Sequence, residues 1–546
     1  MPHKMLWQSF SGLGVLVGAV FFAASLTPSL IPRTATMQGV LGGVSFTAGY
    51  ALGVLLLWLW WYLELPAAGE RLRRLAVWSV TGVAGLIVVT FLWRAAEWQN
   101  SIRLLMEMPP VDTARPLQVG LIAVGLALVL ILIGKAFLRT RGMIARRLER
   151  VMPRRVSQFL AVAAAVTLFF MVIDGLLLRA YLRTYDSAQA ALDAVLEPDV
   201  ARPAEPWRTG SAASLVSWQD LGRQGRAFVG TGPSGEEIAD FLGRGARDPL
   251  RVYVGLNAAE TPEARAALAL RELQRVGGFE RAALVVAVPT GTGWVDPASL
   301  DPLEYLLEGD VATVAVQYSY LESWVSLLVE PDYGVQTARA LFRAVYRHWT
   351  TLPRDGRPQL YLHGLSLGAL ASEQSLRLHD VLADPVQGAV WAGPPFPSPE
   401  WRTAVDEREP ETPVWLPVFG DGSIIRFTNQ HNALALPGAE WGPMRIVYLQ
   451  HASDPIVFFE PAALYRPPEW LETPRGPDVS PEVRWYPVVT FLQLVLDMAV
   501  SLNVPPGYGH RYAPPQYINA WQAVIEPPRW TQEDIERLKR HFRERS

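Results

Sequence analysis

Ser366 has the neighbours and the position of a reactive serine. It lies in the run Gly-Leu-Ser-Leu-Gly, which follows the apolar stretch 359–363 and precedes a helix-forming stretch that begins at Ala369. This order of strand, tight turn and helix exposes a serine hydroxyl at the end of a strand, and small flanking residues permit close backbone approach. The sequence therefore predicts Ser366 as a nucleophile and the backbone N–H of Leu367 as a donor to an oxyanion.

A serine needs a base to remove its proton at neutral pH, and histidine is the usual one. The chain has eight histidines. His510 lies in a glycine-rich run, 505–512, and such a loop can deliver a side chain to the end of a sheet. His363 lies on the strand that leads to Ser366, where we expect it to pack or to support the site indirectly. His510 is therefore the predicted base.

The acid that orients the imidazole should follow a strand between the serine and the histidine. Asp454 comes shortly after the predicted strand 444–450 and fits this position. Asp421 stands between two glycines and is the competing candidate, but Gly-Asp-Gly is more typical of a hairpin turn. With Asp454, the chain order becomes serine, aspartate, histidine, as expected for an α/β-hydrolase triad.

A second oxyanion donor is expected from the loop that follows the predicted strand 281–288. This loop reads Pro-Thr-Gly-Thr-Gly-Trp, so its glycines permit close approach and its threonines offer hydroxyl groups. A phosphate-cradling loop is the competing interpretation, but no Gly-Lys-Ser/Thr follows. The predicted oxyanion and substrate-binding residues here are Thr290, Gly291, Thr292 and Gly293.

The elements that must position these residues are short apolar runs that alternate with longer amphipathic stretches. That pattern is typical of a mostly parallel sheet covered by helices on both faces. The predicted helices include one at about 334–350, and the predicted strands are 251–256, 281–288, 311–318, 359–363, 387–392 and 444–450.

The first third of the chain has a different composition. A membrane-spanning helix needs about 20 apolar residues, and five stretches approach or exceed this length. Asp174, in the fifth stretch, is an ionisable residue with either a functional or a structural role. The predicted spans are 9–27, 39–63, 75–96, 118–138 and 157–182.

Charge gives these spans an orientation. The loop between the fourth and fifth spans is rich in Lys and Arg, which predicts a cytoplasmic position. The N-terminus should then be cytoplasmic too, and everything after residue 182 should lie in a periplasm or outside the cell. Residues 1–182 hold 17 Lys and Arg against 7 Asp and Glu, whereas the remainder holds 32 against 45. An acidic soluble part argues against nucleic-acid binding.

We expect three regions: a transmembrane domain at 1–182, a connector at 183–215 and an α/β domain at 216–546. The aromatic run 318–324 and the apolar segment 484–502 could line a lipid entrance, although such segments are more often core. The chain has no cysteine, so thiolate nucleophiles and Cys-based metal sites are excluded. Neither a metal ion nor a cofactor is expected, and the sequence does not predict an oligomeric state.

Several motifs together resemble a bacterial α/β-hydrolase family that joins an N-terminal multi-span membrane domain to a C-terminal serine hydrolase domain. The resemblance implies the roles given above for Ser366, Asp454 and His510, and hydrolysis of a lipid or aminoacyl-phospholipid ester. Leu365 stands where the family often has an acidic residue, and Tyr508 where it often has a histidine. The motifs are 25–33, 221–226, 289–297, 364–368, 393–396, 451–457 and 475–481.

The hypothesis is therefore a membrane-anchored serine esterase of a bacterial inner membrane, acting on a lipid or other amphipathic ester at the outer face. One alternative is an acyltransferase that uses the same triad. The other is a membrane transporter or sensor whose hydrolase-like domain only binds its ligand.

Overall fold

The computed structural model describes residues 11–66, 69–172, 188–189, 191–197, 199–321 and 331–545. The chain divides into two compact units. The helical unit comprises Met1–Tyr185, Glu460–Leu471 and Pro477–Asn503, and the sheet unit comprises Asp186–Phe459, Glu472–Gly476 and Val504–Ser546. Two segments of the C-terminal half thus group with the N-terminal helices, whereas the predicted regions follow the chain linearly.

The sheet unit is built on parallel strands in the order β1-β3-β2-β4-β5-β7-β6. Every residue of β2 and of β3 is buried, so both faces of the sheet centre are covered. The predicted α/β class is confirmed. The strands are β1 (Leu250–Val254), β2 (Ala283–Val288), β3 (Val311–Val316), β4 (Gln359–Leu365), β5 (Gly388–Ala392), β6 (Ile425–Thr428) and β7 (Arg445–Leu449).

Strand β6 is the one strand of the described sheet that the sequence analysis did not predict. It is four residues long and lies at the sheet edge beside β7. The turn predicted around Asp421 exists, with positive φ at Gly420 (55°) and Gly422 (69°). However, β6 pairs with β7 in parallel, so this turn does not close the expected hairpin.

Helices cover the sheet and make up most of the described part of the helical unit. In chain order they are α1 (Gly12–Ser25), α2 (Ala35–Tyr62), α3 (Glu70–Leu105), α4 (Pro116–Leu148), α5 (Arg154–Phe170), α6 (Gly222–Gly230), α7 (Gly235–Leu242), α8 (Pro262–Arg275), α9 (Pro297–Leu306), α10 (Pro331–Trp349), α11 (Leu367–Ser375), α12 (Leu378–Val381), α13 (Pro399–Asp406), α14 (Val489–Ala499), α15 (Pro514–Ile525) and α16 (Gln532–Arg545).

Among the described residues, three helical stretches are long and apolar enough to cross a membrane: Ala35–Tyr62, Trp78–Leu105 and Pro116–Leu148. They overlap the predicted second, third and fourth spans. Their apolar side chains are exposed to an unusual degree, with Trp93 at 82% and Leu117 at 83%, as expected for surfaces that face lipid.

The first and fifth predicted spans are described only in part. Within 9–27 the structure shows the shorter apolar helix α1. Within 157–182 it describes residues only up to 172, so Asp174 lies outside the described residues.

A buried polar cluster joins the turn after α1 to α14 inside the helical unit. Nε of Arg33 lies 3.2 Å from Oδ1 of Asp497, and neither side chain is exposed. Nη1 of Arg33 also donates to the carbonyl oxygen of Ser25 (3.1 Å) and to Oε1 of Gln38 (2.9 Å). The backbone N–H of Leu30 donates to Oδ2 of Asp497 (3.1 Å). The irregular turn at 25–33 is therefore stabilised by a residue 464 positions away from Arg33.

We predict that Asp497→Ala destabilises the protein by about 3–5 kcal/mol, because it leaves the Arg33 guanidinium buried without a counter-charge. Thermal unfolding of the detergent-solubilised full-length chain measures the effect. The matched control is Glu205→Ala, since Glu205 lies 4.0 Å from Arg208 at the surface of the sheet unit, with side chains that are 49% and 33% exposed. Such a pair contributes about 0–1 kcal/mol. Equal effects of the two substitutions would contradict the prediction.

Candidate active site

Ser366 occupies a sharp turn between β4 and α11. Its backbone has φ 56° and ψ −127°, a combination that costs a non-glycine residue about 1–3 kcal/mol. The flanking glycines make the turn possible: a Cβ at Gly364 would overlap the backbone of Gly368, and a Cβ at Gly368 would overlap the carbonyl oxygen of Val288. The predicted strand, turn and helix are all present, with β4 two residues longer than predicted.

Backbone hydrogen bonds hold the serine in this turn. The N–H of Ser366 donates to the carbonyl oxygen of Ala392 at the end of β5 (2.9 Å), and its carbonyl oxygen accepts from the N–H of Ala369 (2.9 Å). The residue is 5% exposed. Ser366 thus lies at the carboxyl edge of the sheet, between the ends of β2 and β5.

His510 and Asp454, the residues predicted as base and acid, form a hydrogen-bonded pair. Nδ1 of His510 lies 2.7 Å from Oδ2 of Asp454, and the carboxylate is fully buried. Oδ1 of Asp454 accepts from the N–H of Ile456 (2.9 Å). Nε2 of His510 has no hydrogen-bond partner in the described part of the chain. The second nitrogen of the imidazole is therefore available to a proton donor.

Tyr512 is a second partner of Asp454, which the sequence analysis did not identify. Its hydroxyl donates to Oδ2 of Asp454 at 2.7 Å, the same oxygen that His510 contacts. Burial, and then the neighbouring Asp454 carboxylate, raise the pKa of Tyr512 well above its ordinary value, so the phenol stays a donor. In the sequence, only the position of Tyr512 two residues after His510 could have pointed to this contact.

The loop that carries His510 is held by the loop that carries Asp454. Nδ1 of His451 lies 2.8 Å from the carbonyl oxygen of Gly509, and the N–H of Gly509 donates to Oγ of Ser453 (3.0 Å). The His451 ring also stacks on Tyr512 with centroids 4.3 Å apart. His451 thus holds the backbone of the loop that carries His510 and packs on Tyr512.

Gly393, which follows β5, lies close to both the Ser366 turn and the His510 ring. Ser366 hydrogen-bonds to the preceding residue, Ala392, and a Cβ at Gly393 would overlap Cε1 of His510 and the ring of Tyr512. Ser366 and His510 therefore approach the same two-residue backbone segment from different elements. The Ser366–His510 proton transfer itself stays a prediction.

The loop after β2 lies beside the serine turn, because Gly368 packs against the carbonyl oxygens of Val288 and Pro289. Inside the loop, the N–H of Thr290 donates to Trp294 (2.9 Å) and the N–H of Gly293 donates to Thr290 (2.9 Å). These two N–H groups could donate to an oxyanion only after breaking their hydrogen bonds within the loop. The roles predicted for Leu367, Gly291 and Thr292 stay predictions.

His363 and Asp421, the other candidates that the sequence analysis considered, each make local contacts outside the His510–Asp454 pair. Nδ1 of His363 lies 2.8 Å from the carbonyl oxygen of Val390, and burial lowers the pKa of His363 to about 4. It packs on Tyr517 and Trp521, as expected for a packing residue. Asp421 is exposed, and its Oδ1 accepts from the N–H of Ser423 in the turn before β6 (2.9 Å).

A second buried carboxyl group borders the loop after β2. Asp296 caps α9 by accepting from the N–H of Ala298 (2.9 Å), and the hydroxyl of Tyr517 donates to it (3.1 Å). Burial raises the pKa of Asp296 to about 7, more than these bonds lower it. Tyr517 also packs against Tyr512, with ring centroids 6.3 Å apart. Asp296 is therefore connected to Asp454 through these two tyrosines.

Comparisons with known families cover most of the chain. Residues 250–538 match a family described as "Alpha/beta-hydrolase family", and residues 26–233 match its N-terminal region, described as "Alpha/beta-hydrolase family N-terminus". No curated protein and no solved structure matches the chain. The first match includes Ser366, Asp454 and His510.

We predict that Gly368→Ala destabilises the protein by about 1–3 kcal/mol or more, because the added methyl group overlaps a strand backbone that cannot yield cheaply. Thermal unfolding of the full-length chain measures this loss. Gly356→Ala is the control: its Cβ would meet nothing within 4 Å, so a change within about 0.5 kcal/mol is expected. A Gly368→Ala protein as stable as the control would show that the tight contact is not required.

Proposed function

The chain belongs to the α/β-hydrolase family, and from this premise we propose that it is a membrane-associated serine hydrolase that cleaves an ester through Ser366, His510 and Asp454. One observation carries the proposal. A buried imidazole is hydrogen-bonded through Nδ1 to a carboxylate, keeps Nε2 without a partner among the described residues, and lies beside the backbone segment that holds a strained serine.

The proposed reaction has two stages. Nε2 of His510 accepts the Ser366 proton as Oγ attacks the ester carbonyl carbon, and Asp454 stabilises the imidazolium that forms. The imidazolium then protonates the departing alcohol, which leaves an acyl group on Ser366. Water, deprotonated by His510, attacks this acyl-enzyme and releases the carboxylic acid with the serine restored.

The oxyanion that develops in each stage needs a donor that is in place beforehand. We propose the N–H of Leu367, which occupies the first position of α11. The first amides of a helix lack intrahelical acceptors and carry the positive end of the helix dipole. The second donor in this proposal comes from Gly291 or Thr292 in the loop after β2.

The proposed substrate is an ester of a lipid or another amphipathic molecule, with an aminoacyl-phospholipid as the narrower form. The support is the association of a hydrolase domain with three stretches apolar enough to cross a membrane. The Lys and Arg bias of the loops further supports a hydrolase domain on the outer face of a bacterial inner membrane. At that face, the enzyme would meet esters of the outer leaflet directly.

A fluorophosphonate probe tests the nucleophile. We expect the wild-type chain to be labelled and Ser366→Ala to lose all labelling, because the probe phosphonylates only an activated serine. Ser375→Ala is the control, since its hydroxyl donates within its own helix, to the carbonyl oxygen of Ser372 (2.7 Å). Labelling rates of the folded full-length protein are measured on gels. A folded wild-type protein that resists labelling would favour the alternative in which the domain only binds.

Tyr512→Phe tests the proposed positioning of Asp454. A hydrogen bond to a charged group contributes about 1.5–3 kcal/mol, so kcat/KM for p-nitrophenyl butyrate should fall about 10-fold or more. The loss should fall on kcat rather than on KM, because Tyr512 contacts the Asp454 carboxylate and the His510 ring, and the proposed mechanism gives it no contact with the substrate.

Tyr346→Phe is the matched control for this substitution. The hydroxyl of Tyr346 donates to the carbonyl oxygen of Asp384 (2.9 Å), between α10 and the segment before β5, and it takes no part in the proposed mechanism. This variant should keep the wild-type kcat and KM. If Tyr512→Phe did the same, Tyr512 would be a packing residue only.

A further inference from the structure

The loop after β2, which is proposed to supply the second oxyanion donor, is bonded to two buried polar side chains. The hydroxyl of Tyr253 on β1 donates to the carbonyl oxygen of Gly293 (2.6 Å). Nε2 of Gln317, which follows β3, donates to the carbonyl oxygen of Thr292 (3.5 Å). Neither Tyr253 nor Gln317 is exposed. In the sheet, β1 and β3 lie on one side of β2 and β4 lies on the other, so these side chains hold the loop from the side opposite to Ser366.

The contact between the loop and these side chains is tight. Gly293 has a φ of 85°, and a Cβ there would lie 2.7 Å from the hydroxyl oxygen of Tyr253 and 2.8 Å from Cγ of Gln317. The N–H of Gly293 is bonded to the carbonyl oxygen of Thr290 (2.9 Å). Because a peptide group is planar, bonds to the carbonyl of Thr292 and to the N–H of Gly293 fix one whole group. Tyr253 fixes the next group and so restricts the rotation of the loop.

Asp193 supports both side chains from the predicted connector, 183–215. It is 8% exposed, and its Oδ1 accepts from the N–H of Arg223 in α6 (3.0 Å). The side-chain amide of Gln317 also interacts with the Asp193 carboxylate. Burial, and then this carboxylate, raise the pKa of Tyr253 well above its ordinary value, so the phenol stays a donor. The connector thus contributes a buried side chain to the support of the loop.

The motif at 221–226, one of those that carry the family resemblance, belongs to the same support. A Cβ at Gly225 would overlap the ring of Tyr253, and a Cβ at Gly222 would overlap the carboxylate of Asp193. Backbone can approach a neighbouring side chain this closely only where a residue has no Cβ. The two glycines of the motif therefore allow α6 to pack directly on both supporting residues.

We propose that Tyr253 and Asp193 are positioning residues, which hold the loop after β2 where its N–H can donate to the oxyanion. Tyr253 acts through the carbonyl group of Gly293, and Asp193 acts through Gln317 and α6. The inference rests on the proposed ester hydrolysis, because an oxyanion forms only when Ser366 attacks a carbonyl carbon. It also assigns the connector a part in catalysis beyond that of a tether.

Tyr253→Phe removes the hydroxyl and leaves the ring against α6. Loss of a whole oxyanion donor costs about 100- to 1,000-fold in kcat, so displacement of one should lower kcat for p-nitrophenyl butyrate about 10-fold or more. KM should stay within about 2-fold, because the ester carries no oxyanion before it is attacked. Steady-state rates of the detergent-solubilised full-length protein measure both values.

Tyr361→Phe is the matched control. Tyr361 is a buried tyrosine of β4, and its hydroxyl donates to Oε1 of Gln359 (2.8 Å) at the strand end opposite to Ser366. Each variant loses one buried hydroxyl, so both should unfold at a lower temperature than the wild type, but only Tyr253→Phe should lose kcat. Wild-type kcat in a folded Tyr253→Phe protein would overturn the proposal, and so would an equal loss of kcat in Tyr361→Phe.

A transition-state analogue separates positioning from a general loss of structure. Oγ of Ser366 adds to the carbonyl carbon of hexyl trifluoromethyl ketone, the carbonyl electron pair moves to its oxygen, and His510 takes the serine proton. The adduct therefore carries the oxyanion without a leaving group. Its affinity should fall in Tyr253→Phe by the same factor as kcat/KM, because both report oxyanion stabilisation. Wild-type affinity in a variant with lowered kcat would give Tyr253 another role and overturn the proposal.

Asp193→Ala tests the part of the connector. It should lower kcat about 3- to 10-fold, because Gln317 and the N–H of Arg223 lose their acceptor. Asp193→Asn keeps an acceptor oxygen and should retain most of the wild-type kcat. Asp199→Ala is the control, since Asp199 is an exposed residue of the same connector. A folded Asp193→Ala protein with wild-type kcat would overturn the role of Asp193.

The same measurements separate this proposal from the function on which it rests. If the wild-type protein is neither labelled by the fluorophosphonate probe nor active on the ester, ester hydrolysis fails and the positioning role fails with it. If the wild-type protein is labelled and active, but Tyr253→Phe keeps its kcat and its affinity for the ketone, only the positioning role fails.

Discussion

The close approach of two strand ends at Ser366 is the constraint on which the site depends. α11 starts so near β2 that Gly368 has no room for a Cβ, Gly364 has none beside the first turn of α11, and the serine between them adopts a positive φ. Parallel pairing of β2, β4 and β5 places their carboxyl ends at one edge, so the loops that follow them converge there. The backbone strain persists because the sheet and α11 determine the turn from both sides.

The buried Asp454 carboxylate is a second constraint on the structure. A charge removed from water is tolerated only when donors surround it, and here the imidazole of His510, the hydroxyl of Tyr512 and the N–H of Ile456 do so. His451 then fixes the backbone of the loop that carries His510. The orientation of the His510 imidazole therefore depends on a hydrogen-bonded network that joins two loops.

The segment before this loop belongs to the helical unit, so the two units share the C-terminal part of the chain. Val489–Ala499 is held there by Asp497 and its bonds to Arg33 and Leu30, and the chain then passes at Val504 into the sheet unit. The loop of His510 thus begins a few residues after a segment anchored among apolar helices. A cut near residue 182 or 215 would separate Asp497 from its buried partner and would leave a charge in the core.

The sequence by itself determined the α/β class, three helices long enough to cross a membrane, six of the strands and the proposed serine, acid and base. These features have local signals: apolar runs, turn residues and a strand-turn-helix order. Only the tertiary structure revealed Tyr512 and His451 as supports of the triad, the edge strand β6, and the pairing of Arg33 with Asp497. Such contacts join residues tens to hundreds of positions apart, or elements too short for a periodic pattern, so no local window contains their cause.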